Sequence, residues 1–258
     1  MPDIYSSANK ILKEYHEERL KIFRELLKSN SKSLTIVIPA KKEYENLLVH
    51  LEEIIPYGDQ IIIFDATGDE KTKDLAVKYG IEFHVQEDKG KGSAIRESRQ
   101  YINGDITVFI DADGSHNPTE IPDIVTPIIL DQADHVTPSR MKGGSDELFG
   151  DVAEFIRLVG QSIITLSINY YFKQEITDSQ NGYRGLKTSL LNSLDLKEKI
   201  TTIEQEMVIK TLKMGKRLIE VQSHEHKRNN GYSHINVKKV SFRYVYSWLK
   251  YLFFYRPA

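Results

Sequence analysis

Between Leu34 and Asp113 four short apolar runs alternate with three segments of helical spacing, with few residues between them. "LTIVIPA" (34–40) is followed by "ENLLVHLEEII", and "QIIIFDAT" (60–67) by "DEKTKDLAVKYG". "IEFHVQ" (81–86) is followed by "GSAIRESRQYING", and "DITVFIDAD" (105–113) closes the series. The first, second and fourth runs are β-branched and almost continuously apolar, which predicts strands buried on both faces. Strands alternating with helices over such short connections predict an α/β fold, a mostly parallel central sheet with helices on both faces. Ligands in such sheets bind beyond the carboxyl ends of the strands, where Pro39, Asp65 and Asp111 all fall.

The chain has 258 residues, enough for one large domain or two small ones around a sizeable core. A formal charge of -2 gives no global attraction to nucleic acid, and nucleic-acid binding is not expected. The absence of cysteine excludes disulfides and thiolate metal sites and fits a reducing compartment. "MPDIYSSANK" lacks the apolar core of a secretory signal, and no apolar stretch is long enough to span a bilayer. The expected location is the cytoplasm, with attachment to the cytoplasmic face of a membrane left open.

Three segments divide the chain. Residues 1–32 hold an amphipathic helix with Ile11, Leu12, Tyr15, Ile22, Phe23, Leu26 and Leu27 on one face. That face suits packing on the chain's own core or a homodimer contact. Residues 33–236 form the main domain, with a nucleotide-sugar half (33–118) and an acceptor half (119–236). Beyond Pro118, "HVTPSR" and "RLIEVQSHEH" read as strands, and Phe155–Phe172 and "KEKITTIEQEMVIKTLKMG" as helices. Residues 237–258 form a second amphipathic helix with Val245, Trp248, Leu249, Leu252 and Phe253 at helical spacing among basic residues. Such a ridge suits either packing on the domain or peripheral contact with a membrane.

"GDITVFIDADGSHNP" carries the chemistry. Two carboxylates one residue apart at a strand mouth, Asp111 and Asp113, repel one another unless a cation sits beside them. Mg²⁺ or Mn²⁺ would suit, shared between the carboxylates and a diphosphate; ordinary turn chemistry is the competing reading. His116, just beyond, fits a turn better than a ligand. Upstream, "EDKGKGSAIRES" sets Gly90 and Gly92 among Lys89 and Lys91 before a helix, an arrangement that admits an anion or simply makes a surface turn. No P-loop spacing is present.

The ordered set "VIPAKKEYEN", "IIIFDATGDEKT", "DKGKGSAIRES", "GDITVFIDADGSH", "TDSQNGYRG" and "IEQEMVIKTLKMG" resembles family 2 glycosyltransferases of the GT-A fold. It is most similar to the dolichyl-phosphate mannose and polyprenyl-phosphate glucose synthase group, from about Leu34 to Val237. The resemblance implies a nucleoside diphosphate sugar donor, Mg²⁺ or Mn²⁺, inversion at the anomeric carbon, and a polyprenyl phosphate acceptor. It assigns Pro39, Ala40, Glu43 and Asp65 to the base and ribose, Lys89, Gly90, Lys91 and Gly92 to the diphosphate, and Asp111 and Asp113 to donor and metal. Ser115 stands where the group often has a glutamine metal ligand. Lys41-Lys42 and Ala66 also depart from the group's pattern, which leaves the base open.

For the acceptor the resemblance implies Arg140, Arg184, Arg228 and Ser233, with His234 in place of a lysine. A hydroxyl acceptor needs a base, for which Asp178 and Glu206 are the candidates; a phosphate monoester needs orientation more than deprotonation. Two alternatives stand beside this reading. One is a soluble transferase acting on a small hydroxyl or phosphorylated acceptor, the other a catalytically degenerate sugar-nucleotide-binding scaffold.

Overall fold

The computed structural model describes residues 2–146, 152–227 and 237–257. In chain order the elements are α1 (Pro2–Ser29), β1 (Leu34–Ala40), α2 (Tyr44–Ile54), β2 (Gln60–Asp65), α3 (Glu70–Tyr79), β3 (Glu82–Val85), α4 (Lys91–Ser98) and β4 (Ile106–Phe109). There follow α5 (Ile121–Ile129), β5 (His135–Ser139), α6 (Arg140–Gly143), α7 (Val152–Phe172), β6 (Arg184–Lys187), α8 (Thr188–Ser193), α9 (Ile203–Lys213), β7 (Leu218–Gln222) and α10 (Val237–Leu249). One seven-stranded sheet runs β3-β2-β1-β4-β6-β5-β7. β1, β2, β3 and β4 are mutually parallel, as are β5 and β7, while β6 lies antiparallel between β4 and β5.

The near-continuous apolar runs have the burial they predicted. Along β1, Ile36 and Ile38 join one core layer and Val37 the other; along β2, Ile61 and Ile63 oppose Ile62 and Phe64. Each strand therefore buries side chains on both faces, at roughly 1.5–3 kcal/mol for a fully buried aliphatic residue. A third cluster joins α7 and α9 to the chain's end through Ile164, Ile168, Val208 and Tyr251.

β6 carries no apolar run in "RGLK", and the strand pattern gave no sign of it. It forms because β4 and β5 each leave an edge that an antiparallel insert can satisfy, and it pairs Arg184 with Phe109. At the N-terminus, Phe23 and Leu27 of α1 are buried in the main core, and Arg24 donates to the Tyr57 carbonyl and to Asp59. The first half of α1 leaves Ile11, Leu12 and Tyr15 exposed. Among the described side chains, the helix packs on its own domain through its C-terminal half.

Candidate active site

The parallel register brings the carboxyl ends of β1, β2 and β4 side by side: Ala40 faces Asp65, and Val37 faces Phe109, two residues before Asp111. Asp65 is fully buried. Its Oδ1 accepts the Thr67 N–H at 2.7 Å and the Gly68 N–H at 2.6 Å, while Oδ2 is buried without a partner. An oriented carboxylate with one unsatisfied oxygen is suited to receive an N–H from a ligand. Glu43, just before α2, accepts from Asn46 at 2.6 Å.

Beyond β4 the two carboxylates have different surroundings. Asp111 contacts Lys91 Nζ at 2.5 Å and His116 Nε2 at 3.4 Å. Burial alone would raise its pKa, but Lys91 and His116 outweigh burial and hold the carboxyl well below the usual range. Lys91 also meets Glu204 at 3.2 Å; burial opposes its charge, yet the two carboxylates raise its pKa. Asp113 Oδ1 accepts the Ser115 N–H at 3.1 Å and the Ser115 hydroxyl at 2.7 Å. Ser115, matched in sequence to a metal-ligand position, thus lies against Asp113 and orients it. The oxygen donors of this pair suit a hard divalent ion.

The glycines of the Lys89–Gly92 loop serve packing. A Cβ at Gly92 would lie 2.5 Å from the Glu198 carbonyl oxygen and 2.8 Å from that of Ile200, and Gly90 is equally crowded by the Lys199 carbonyl. The Ser93 N–H donates to Lys199 O at 3.2 Å, so an early amide of α4 is satisfied by backbone rather than held open for phosphate. Of this loop, Lys91 is the residue that faces the cavity described next.

That cavity, of about 270 Å³, opens beside Asp111. Lys91, Asp111, His116, Arg140, Glu204 and Glu225 line its charged end. Ile156, Gly160, Ile163 and Ile164 of α7, with Val245 and Trp248 of α10, form its apolar wall, and Arg157 of α7 stands among them. The apolar wall continues outward: Phe155, Ile156, Val159, Ile163, Leu166 and Tyr170 form an exposed row on α7, beside exposed Phe242, Val245 and Tyr246 on α10. α10 is tied down at the cavity itself, where the Tyr244 hydroxyl donates to Thr201 at 2.7 Å and Gln205 donates to the Tyr244 carbonyl at 2.9 Å.

Several expected residues lie elsewhere than their motifs suggest. Glu206 is fully buried; it accepts the Lys197 and Glu198 N–H groups at 2.8 Å each and pairs with Lys210 at 2.6 Å. Two helical positions turn by about 200°, so Glu204 faces the cavity instead, with Oε2 buried and unpartnered. Burial raises the Glu204 pKa against the pull of Lys91 and Arg184. Asp178 is gripped by Arg140 through Nε at 2.6 Å and a terminal nitrogen at 3.1 Å. Burial would raise its pKa, but Arg140 lowers it and makes Asp178 a weak base.

Arg140 also meets Glu225 at 3.3 Å, so two carboxylates already neutralise it. Arg184 is fully buried, donating to the carbonyls of the cavity-lining Glu204 and Asn181, and burial pushes its pKa down to about 10. Arg157, unremarked in the sequence, lines the cavity on α7 with its buried Nε unpartnered among the described residues. Arg228, Ser233 and His234 lie outside the described residues.

Residues 35–194 match the model of the family described as Glycosyl transferase family 2. The undecaprenyl-phosphate mannosyltransferase of Micrococcus luteus is 29% identical over 209 residues, covering 72% of this chain and 80% of the relative. The UDP-N-acetylglucosamine–dolichyl-phosphate N-acetylglucosaminyltransferase of Methanococcus voltae is 31% identical over 125 residues, 47% of this chain and 46% of the relative. Glucosyl-3-phosphoglycerate synthase of Mycobacterium tuberculosis, crystallised with Mn²⁺, UDP and glucosyl-3-phosphoglycerate, superposes with a TM-score of 0.72 at 19% identity. That superposition covers 89% of this chain and 84% of the other, and the shared architecture is GT-A-like.

Proposed function

This chain belongs to glycosyl transferase family 2, and on that footing we propose that it moves a sugar, with inversion, from a nucleoside diphosphate sugar to a polyprenyl phosphate. The cavity carries the choice of acceptor. Its charged end lies beside Asp111, and its apolar wall runs from Ile164 to the exposed row on α7 and α10. A phosphate at one end and a hydrocarbon chain along the other would use both; a small hydrophilic acceptor would leave the wall idle. Relatives named for undecaprenyl and dolichyl phosphate support the same reading. The exposed row would hold the cavity mouth against a membrane surface.

In this mechanism Asp111 and Asp113 would hold Mg²⁺ or Mn²⁺, which when bound would supply positive charge against the departing diphosphate. Lys91, cationic between Asp111 and Glu204, stabilises the same developing charge, and Glu204 positions it. The unpartnered Asp65 Oδ2 accepts an N–H of the base. Arg157 receives the acceptor phosphate, because Arg140 already serves two carboxylates. A phosphate oxygen, anionic at neutral pH with a second pKa near about 6, attacks the anomeric carbon opposite the diphosphate. The new C–O bond forms as the bond to diphosphate breaks, and configuration inverts. No base is needed, in keeping with Asp178 held by Arg140 and Glu206 buried among backbone amides.

One observation favours a second reading. The raised pKa and unpartnered Oε2 of Glu204 suit proton uptake from a hydroxyl acceptor. The deciding assay offers UDP- and GDP-sugars with Mg²⁺ or Mn²⁺ to a polyprenyl phosphate, its dephosphorylated alcohol and small hydroxyl acceptors. Transfer to the phosphate alone, lost in Asp113→Asn, is the expected result. Transfer to the alcohol or a small acceptor selects the second reading, and donor binding without any transfer leaves a scaffold.

A further inference from the structure

Trp248 lines the cavity from α10, and its indole Nε1 is buried without a partner among the described residues. Arg157 Nε, on the adjacent α7, stands in the same condition in the same cavity. We propose that the Trp248 N–H donates to the acceptor phosphate alongside Arg157, so that α10 is part of the acceptor site and Trp248 helps select a phosphate over a hydroxyl. The assignment rests on a polyprenyl phosphate as the acceptor.

An indole N–H and a guanidinium can donate hydrogen bonds but not accept them. Buried tryptophans usually pair their N–H, and an unpaired buried donor costs free energy that an acceptor atom of a ligand recovers. Around these two groups, Ile156, Ile163, Ile164 and Val245 bring no acceptor side chain. A hydroxyl held here would satisfy an N–H but have its own proton left to place. A phosphate brings acceptor oxygens alone, with a charge that Arg157 matches. At about 270 Å³ the cavity is small for a ligand pocket, about 300–1,000 Å³ being usual. It has room for a head group, and the hydrocarbon chain would leave along the exposed row on α7 and α10. The N–H groups inside the cavity would therefore meet phosphate oxygens rather than the chain. The diphosphate of the sugar nucleotide belongs instead to the charged end, with Lys91 and Asp111.

Trp248 is fixed in position. Tyr244 and Tyr251 flank it at helical spacing, and their hydroxyls donate to Thr201 at 2.7 Å and to Glu198 at 3.0 Å. The indole packs against the buried cluster that holds Ile164 and Ile168. A contact made by a ring already in place costs little ordering on binding. Phe242 and Tyr246 on the same helix remain exposed, so α10 turns one side to the head group and another to the hydrocarbon.

Trp248 is the one tryptophan of the chain, so a ¹H–¹⁵N spectrum of the full chain carries a single indole signal. Geranyl phosphate should move that signal downfield, as a hydrogen bond to an anionic oxygen requires. Geraniol, or UDP with Mn²⁺, should produce no downfield shift. Trp248→Phe keeps an aromatic ring and removes the N–H. By calorimetry it should weaken binding of geranyl phosphate about tenfold and of geraniol less than about twofold. Far-ultraviolet dichroism matching the parent would show that the variant folds; if it does not fold, the spectrum of the parent decides alone. An indole signal that stays in place while geranyl phosphate binds, or equal weakening for phosphate and alcohol, overturns the proposal and leaves the acceptor reading standing, with ordered water on the N–H. A parent chain that fails to bind geranyl phosphate overturns both.

Discussion

Glu204 and Glu206 sit two positions apart on α9 and face opposite ways, with different consequences for substitution. Glu206→Ala removes the partner of Lys210, itself fully buried, and is expected to lower unfolding free energy in urea by about 3–5 kcal/mol. Glu204→Gln should change stability by less than about 1 kcal/mol, since Asp111 still faces Lys91 and burial already disfavours the Glu204 charge. Equal losses in the two variants would refute the assignment of roles. Gly182 poses a related test. A Cβ there would overlap Lys91 Nζ and lie 2.7 Å from Asp111 Oδ2. Because a lysine end can swing aside, Gly182→Ala should fold normally, yet lower kcat by about tenfold or more through misplaced charge.

At the scale of elements, α7 does two jobs with two faces. Ile164 and Ile168 face α9 in a buried cluster, and the row through Ile163 faces outward. Ile163→Glu is expected to leave the unfolding free energy in urea within about 0.5 kcal/mol of the parent. It should raise KM for a long-chain polyprenyl phosphate about tenfold or more, as loss of one aliphatic contact implies, and leave KM for a short water-soluble analogue unchanged. An equal rise for both acceptors would contradict a lipid-binding wall. The elements that were legible in the sequence are those whose signal is local. β1, β2 and β4 announce themselves by apolar runs, and α3 by its helical spacing closed at Gly80. β6 was hidden because "RGLK" is a strand only by virtue of its neighbours.

For the whole molecule, the carboxyl edge of the sheet concentrates buried ion pairs, which ties stability to pH. Burial opposes the charge on Asp111 and Asp178, but Lys91 and Arg140 lower both pKa values below the ordinary 3.8. Since the folded values lie below the unfolded one, the unfolded chain takes up protons first as pH falls. Their contribution is complete above about pH 4 and is lost as pH drops toward the folded values. The urea midpoint should thus be steady from pH 7 to 5 and fall steeply below 4. Asp178→Asn should start lower and fall less steeply; an identical slope in the variant would remove Asp178 from the account.

By itself the sequence determined the family, the order of the first four strands and helices, and the placing of Asp65, Asp111 and Asp113 at one edge. Those properties follow from local periodicity and from the rule that parallel strands end together. Tertiary structure alone decided that Arg140 is held by Asp178 and Glu225, that Arg184 is buried against the Glu204 carbonyl, and that Glu204 rather than Glu206 faces the cavity. It alone joined α7 to α10 in one apolar wall. A charged residue's role depends on which partners the fold brings to it. Here those partners come from segments well separated along the chain, and no motif records them.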